Sequence, residues 1–198
     1  MISTKPSFII IFLLTLILSA TGTSWASDNA TGFIKEVGQK AILSLKQTNG
    51  SSGAREARFR EIFSKSFNVK LLARFSLGVH WRRSTKSQRD EYVKLFEDFV
   101  IKAYATRFSD YTGETFNVGD SRDLEGGDKL VASEVVLSDG RRIPVHWRVR
   151  NDGGYQIIDV LVEGISMALT QRNEFASIIS QNGGKVDGLL IALRKKIK

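Results

Sequence analysis

The residues that come nearest to supporting chemistry are Asp159, set in the apolar run "YQIIDVLVEGISM", and the two histidines, His80 and His146. Read as a strand, that run sends alternate residues to opposite faces. Ile158, Val160 and Val162 then share one side, and Tyr155, Ile157 and Leu161 share the other with Asp159. A buried carboxylate without a partner is costly, so Asp159 calls for an arginine such as Arg172 or Arg74, or for backbone donors. The sharper alternative is a general base in a pocket. No second acid or base can be located beside it, which favours structural pairing. Glu163, before Gly164, is placed to help cap the helix that follows. Neither histidine stands in an H-x-x-x-H or H-E-x-x-H spacing, and no G-x-S-x-G elbow or P-loop occurs. His146 falls on the polar side of its strand, a solvated or structural position. No catalytic residue, metal ligand or cofactor is therefore assigned.

The elements that must position these groups follow from hydrophobic periodicity. Ala30, Phe33, Ile34, Val37, Ala41, Ile42 and Leu45 recur at helical spacing up to the polar loop "QTNGSSGA". "REARFREIFSKSF" places Phe59, Ile62, Phe63 and Phe67 on one face of a second helix, and Asn68 can cap a short third one, "VKLLARF". The aromatic stripe suits ordinary core packing. Thr85 and Gln88 form a capping box for the longest helix, which carries Tyr92, Leu95, Phe96, Phe99, Val100, Ala103 and Tyr104 and should run to about Phe108. The period then changes to alternation. "TFNVGD", "KLVASEVVLS", "RIPVHWRVR" and "GYQIIDVLVEG" read as four antiparallel strands joined at "GG", "DG" and "NDGG" turns. Ser166 can cap a helix "MALTQRNEFASIISQN" closed by Gly183 and Gly184, and "VDGLLIALRKKI" ends the chain with a cationic turn that suits the helix dipole. The expected class is α+β: a twisted antiparallel sheet of about four strands, wrapped on one face by about six or seven helices.

Composition supplies an address. Lys5 precedes the apolar run Phe8 to Leu18, and Ser24-Trp25-Ala26 fits a small-x-small cleavage site. Residues 1–26 read as a secretory signal peptide, too short in its apolar part to span a bilayer. The mature chain, residues 27–198, has the length of one domain with a real core, and the expected compartment is a periplasm. There is no cysteine, which excludes disulfides and thiolate metal sites. Without Lys5 the chain has 28 basic and 21 acidic residues, a formal +7. That excess suits lipid headgroups or acidic protein partners. The basic residues are dispersed ("WRR", "RR", "WRVR") rather than striped, so nucleic acid is not an expected partner.

Several motifs carry a family resemblance across nearly the whole mature chain: "LG..W", "Y..LFEDFV...YA.RF.DY.GE", "HWRVR", "DV.VEGISM" and "TQR.EFAS.I...GG.V.GLL". Together they resemble the MlaC, or toluene-tolerance, family, and within it the hopanoid-associated HpnM branch. Asn68 stands where many relatives carry Asp, and Lys86-Ser87 where a Pro-Glu pair often opens the long helix. Asn68 and Thr85 can fill those capping roles. The resemblance implies an MlaC-like, NTF2-like cone that holds the acyl chains of a phospholipid or hopanoid-type lipid between sheet and helices. It also implies transfer between an inner-membrane ABC transporter with an MCE domain and an outer-membrane lipoprotein complex. On that basis the expected lining is Phe96, Phe99, Val100 and Tyr104 from the long helix, Val135, Val145, Trp147, Val160 and Val162 from the strands, and Ile165 and Met167 after the last turn. Each is equally suited to solid core. A pocket enzyme using Asp159 and a non-catalytic adaptor of a membrane complex remain as alternatives.

Overall fold

A computed structural model describes residues 29–47, 52–105 and 113–198. The segment read as a signal peptide and the expected extension of the long helix to Phe108 lie outside these residues. Among the described residues the helices are α1 (Asn29–Gln47), α2 (Ser52–Ser66), α3 (Val69–Leu77), α4 (His80–Arg83), α5 (Lys86–Ala105), α6 (Met167–Gln181) and α7 (Val186–Lys196). The strands are β1 (Thr115–Asp123), β2 (Lys129–Val136), β3 (Arg142–Asn151), β4 (Tyr155–Val162) and β5 (Ile165–Ser166). They form one antiparallel sheet in chain order. Two short elements, α4 and β5, add to the six longer helices and four strands read from periodicity.

The caps behave as their residue types require. Asn68 Oδ1 accepts from Leu71 N–H at 3.0 Å, and its Nδ2 donates to Gln156 Oε1 at 2.9 Å. In the capping box, Thr85 N–H donates to Gln88 Oε1 at 2.9 Å and Gln88 N–H to Thr85 Oγ1 at 3.2 Å. Each such cap stabilises its helix by about 1 kcal/mol.

One face of the sheet meets the helices. On β3 that face carries Val145, Trp147 and Val149, and the other carries Pro144, His146, Arg148 and Arg150, as alternation predicts. On β4 strict alternation fails. Ile157 pairs with Val149 and Val160 with Trp147, so Ile158 is an extra residue in a β-bulge. The bulge re-aims the strand: Tyr155 and Ile157 face the helices before it, Val160 and Val162 after it. The assignment of Ile157 and Val160 to opposite faces is thereby corrected. Tyr155 and Ile157 from one apolar set and Val160 and Val162 from the other thus share the covered side, while Leu161, opposite His146, stays on the other face.

Two apolar cores result. One joins α3, α5, α6 and α7 through Leu72, Leu77, Tyr92, Phe96, Phe175, Ile179 and Leu189. The other joins α1 to the sheet through Ile34, Val37, Val131, Val149 and Ile157. Phe67, at the end of α2, packs against both, and its chain is pinned to β4 where Asn68 N–H donates to Ile157 C=O at 2.9 Å. A gap between the two cores is left for something else to fill.

Candidate functional site: an apolar cavity between two cores

The gap is a cavity of about 490 Å³, partly open to solvent. Four helices supply most of its wall, and three of them do so in steps of four residues, the spacing at which side chains stack along one helix face. Phe59, Phe63 and the following Phe67 come from the α2 side, Leu72 and Ser76 from α3, and Phe96, Val100 and Tyr104 from α5. The Phe63 and Phe67 rings lie 4.7 Å apart, and Phe59 and Phe63 stack at 6.0 Å. Trp147, Val160 and Val162 form the sheet wall; Ile165, Met167, Ala168 and Gln171 complete the far side. The α2 and α5 walls are tied from outside by Arg60 Nη1 donating to Asp98 Oδ1 at 2.7 Å.

The polar groups of the cavity are few and mostly engaged. Ser76 Oγ lies 2.8 Å from Tyr92 Oη and 2.9 Å from Leu72 C=O. Burial pushes the Tyr92 phenol well above its ordinary value, the Ser76 hydrogen bond opposing the rise only in part. Tyr104 Oη approaches Met167 Sδ at 4.0 Å. Asp159 accepts from Ser166 Oγ at 2.6 Å, from Ala168 N–H at 3.1 Å and from Val160 N–H at 2.8 Å. Its partners are thus backbone donors and a hydroxyl, not Arg172 or Arg74. Ser166 in turn caps α6, accepting from Leu169 N–H at 3.0 Å. The carboxylate that serves the N-terminus of α6 is that of Asp159. Glu163, expected in that role, instead sits at φ 51 in the turn before β5, exposed at the cavity's edge.

Eight of the eleven residues expected to line a cavity do stand on its wall: Phe96, Val100, Tyr104, Trp147, Val160, Val162, Ile165 and Met167. Phe99, Val135 and Val145 do not. Phe99 lies on the flank of α5 that meets the helical core, its ring 5.9 Å from Phe175 and beneath Lys196 Nζ at 5.4 Å. Val145 and Val135 share the sheet face of Trp147, but the indole reaches diagonally across that face, its Nε1 donating at 2.8 Å to Ser133 Oγ, the cross-strand neighbour of Val145. Trp147 therefore forms the wall on that side. Phe59, Phe63 and Phe67 belong to the aromatic stripe that periodicity assigns to core, from which a cavity wall is indistinguishable in the sequence, and Leu72 and Ser76 of α3 are not singled out by it at all.

Among the described residues, no group of three or more His, Asp or Glu side chains could hold a metal ion, and no helix is long and apolar enough to cross a membrane. His80 and His146 are not on the cavity wall.

Comparison with known proteins agrees with this architecture. The chain is 24% identical over 107 residues to the toluene tolerance protein ttg2D of Pseudomonas putida, covering 54% of this chain and 50% of that protein. It thus spans about half the length of that relative. The fold is shared, at a TM-score of 0.76 and 21% identity, with a phospholipid-binding protein from Ralstonia solanacearum solved in complex with a phospholipid; the match covers 85% of this chain and 96% of the other. The MlaC protein family matches residues 35–195, and the chain belongs to that family.

Proposed function

We propose that the protein is a carrier that holds the acyl part of a lipid in the cavity between its two cores and performs no reaction on it. The observation that carries this reading is the wall itself: a partly open gap faced by Phe, Val, Trp, Ile, Met and Leu side chains, with few polar groups, most of them engaged. An empty apolar hollow of this size is unfavourable, because its lining forgoes packing contacts. At about 30 Å³ for each water-sized group in a liquid, 490 Å³ holds on the order of 16 methylene-sized groups, the size of a fatty acyl chain. Each methylene withdrawn from water gains roughly 0.8 kcal/mol, so the wall matches what a bilayer offers and extraction becomes nearly neutral. Direction must then come from partners.

Family membership and the phospholipid in the Ralstonia solanacearum neighbour support a phospholipid as cargo. Asp159 as a general base is less well supported, since both its oxygens are occupied in holding α6. The amino-terminal pattern supports export to the periplasm as a single-domain protein, and the family supports exchange with an inner-membrane MCE-domain transporter and an outer-membrane lipoprotein complex. The HpnM-like motifs make a hopanoid-type lipid the competing cargo. The test is native mass spectrometry of protein purified from its own cells, with thin-layer chromatography of an organic extract. A stoichiometric phospholipid or hopanoid is the expected result; protein that never carries lipid from any source would overturn the reading.

A further inference from the structure

Between Glu61 and Asp90 the chain has seven Lys and Arg residues and no acidic one. Lys65 and Lys86 are taken up by Glu61 and Asp90, and Arg89 lies over the Trp81 ring at 5.7 Å. That leaves Lys70, Arg74, Arg82 and Arg83 on α3 and α4, exposed and without a carboxylate partner among the described residues. The same surface carries large apolar side chains in water: Phe75 is 41% exposed and Val79 50%. Across from them, at the start of α6, Leu169 is 48% exposed and Ile165 61%. Arg172 joins the two groups. Its guanidinium lies 5.3 Å from the Phe75 ring and packs beside Gly78, where an added Cβ would stand 3.0 Å from its Nε. Ile165 is both exposed on this surface and part of the cavity wall, and Leu72 and Ser76, on the turns flanking Phe75, face the cavity. The patch is therefore the outer lip of the cavity.

We propose that this lip is a membrane-docking face: Phe75, Val79, Ile165 and Leu169 enter the headgroup boundary of a bilayer, and Lys70, Arg74, Arg82, Arg83 and Arg172 bind its anionic lipids. Apolar side chains ringed by Lys and Arg are the pattern of surfaces that lie in a membrane interface, and each cation near an anionic surface adds attraction. An acidic protein domain would meet the cations but has no need of four exposed apolar side chains at the edge of a lipid cavity. Docked in this way, the mouth opens onto the bilayer, and a tail leaves it without crossing water. The proposal rests on the carrier reading for its purpose but not for its test.

The test is co-sedimentation of the purified protein with vesicles of phosphatidylcholine alone and of phosphatidylcholine mixed with phosphatidylglycerol. Binding should be confined to the anionic vesicles, weaken with salt, and fall at least about tenfold in both Arg82→Glu/Arg83→Glu and Phe75→Ser/Leu169→Ser. The charge-reversed protein should keep its thermal midpoint and its bound lipid, counted by native mass spectrometry. No vesicle binding by the wild type, which is the result if the face meets a protein instead, would overturn the proposal, as would binding indifferent to vesicle charge or to the charge reversal. Vesicle binding by a protein that never carries lipid from any source would support the docking face and refute the carrier.

Discussion

Ser166 donates its hydroxyl proton to Asp159 across 2.6 Å, and through this bond the bulged strand β4 holds the first turn of α6. The pair sets where Ile165, Met167 and Ala168 stand on the cavity wall. Asp159→Ala removes three accepted hydrogen bonds, one of them the side-chain cap of the Ala168 N–H. It should lower stability by about 1–2 kcal/mol, read from urea unfolding. Asp159→Asn keeps one acceptor oxygen for the Val160 and Ala168 N–H groups, puts an amide donor where Oδ2 accepts from Ser166, and loses the charge near the helix N-terminus; its loss should be smaller. Equal losses would place the contribution elsewhere than in the cap.

The cavity wall makes a sharper demand. Val160→Glu or Val162→Glu puts a carboxylate among apolar side chains on the sheet side. Moving an ionised group against hydrocarbon costs several kcal/mol, so co-purified lipid should fall by about a hundredfold or more in affinity, while circular dichroism shows a folded chain. Lipid retained at the wild-type level in both variants would mean that the tails lie against some other wall.

These two predictions differ in how far the sequence alone reaches them. The caps at Asn68, Thr85 and Ser166 were legible because a capping residue acts within four positions of itself. The helices and four long strands were legible because period 3.6 and period 2 are local signals. The bulge at Ile158 was not: only its partner strand shows that two residues of β4 stand against one step of β3. Without the bulge, Tyr155, Ile157, Val160 and Val162 cannot share a face, and Tyr155 and Ile157 are assigned away from the helices they pack against. Phe59, Phe63 and Phe67 form a visible stripe, but an apolar side chain packed on its neighbours and one facing a cavity obey the same preference. What separates them is the gap between two cores, a property of tertiary packing. Phe99 shows the converse, lying one helical flank away from Phe96 and Val100 and turned into Phe175.

On the opposite face of the sheet, Asp128 is only 1% exposed and accepts from Arg150 Nε at 2.7 Å and Arg148 Nε at 2.8 Å. The Arg150 hydrogen bond, with that of Arg148, holds its carboxyl below the usual carboxylate range against the opposing effect of burial. A depressed folded-state value means that its contribution is present above the unfolded value of about 3.9 and is lost as pH falls through the lower folded value. Asp128→Asn should therefore cost about 2 kcal/mol at neutral pH. The variant should lose less stability than the wild type on titration below about pH 4. Parallel acid-unfolding curves would show that the clamp is not what titrates.

Tyr92 gives the alkaline counterpart. Its phenol is fully buried against Phe96 and Phe175, 2.8 Å from Ser76 Oγ, and burial raises its pKa well above the ordinary value. The folded chain then keeps a proton that the unfolded chain releases near pH 10, so the neutral phenol's contribution is whole below that pH and declines as pH rises through it. Tyr92→Phe should cost about 1 kcal/mol at neutral pH, the size of one lost hydrogen bond, and should flatten the loss of stability above about pH 10. Ser76 keeps the Leu72 carbonyl as an acceptor in that variant, so the cavity wall it belongs to stays satisfied and bound lipid should be unchanged. Equilibrium unfolding from pH 7 to 11, with lipid content measured alongside, separates this packing role from a role for the phenol in holding cargo.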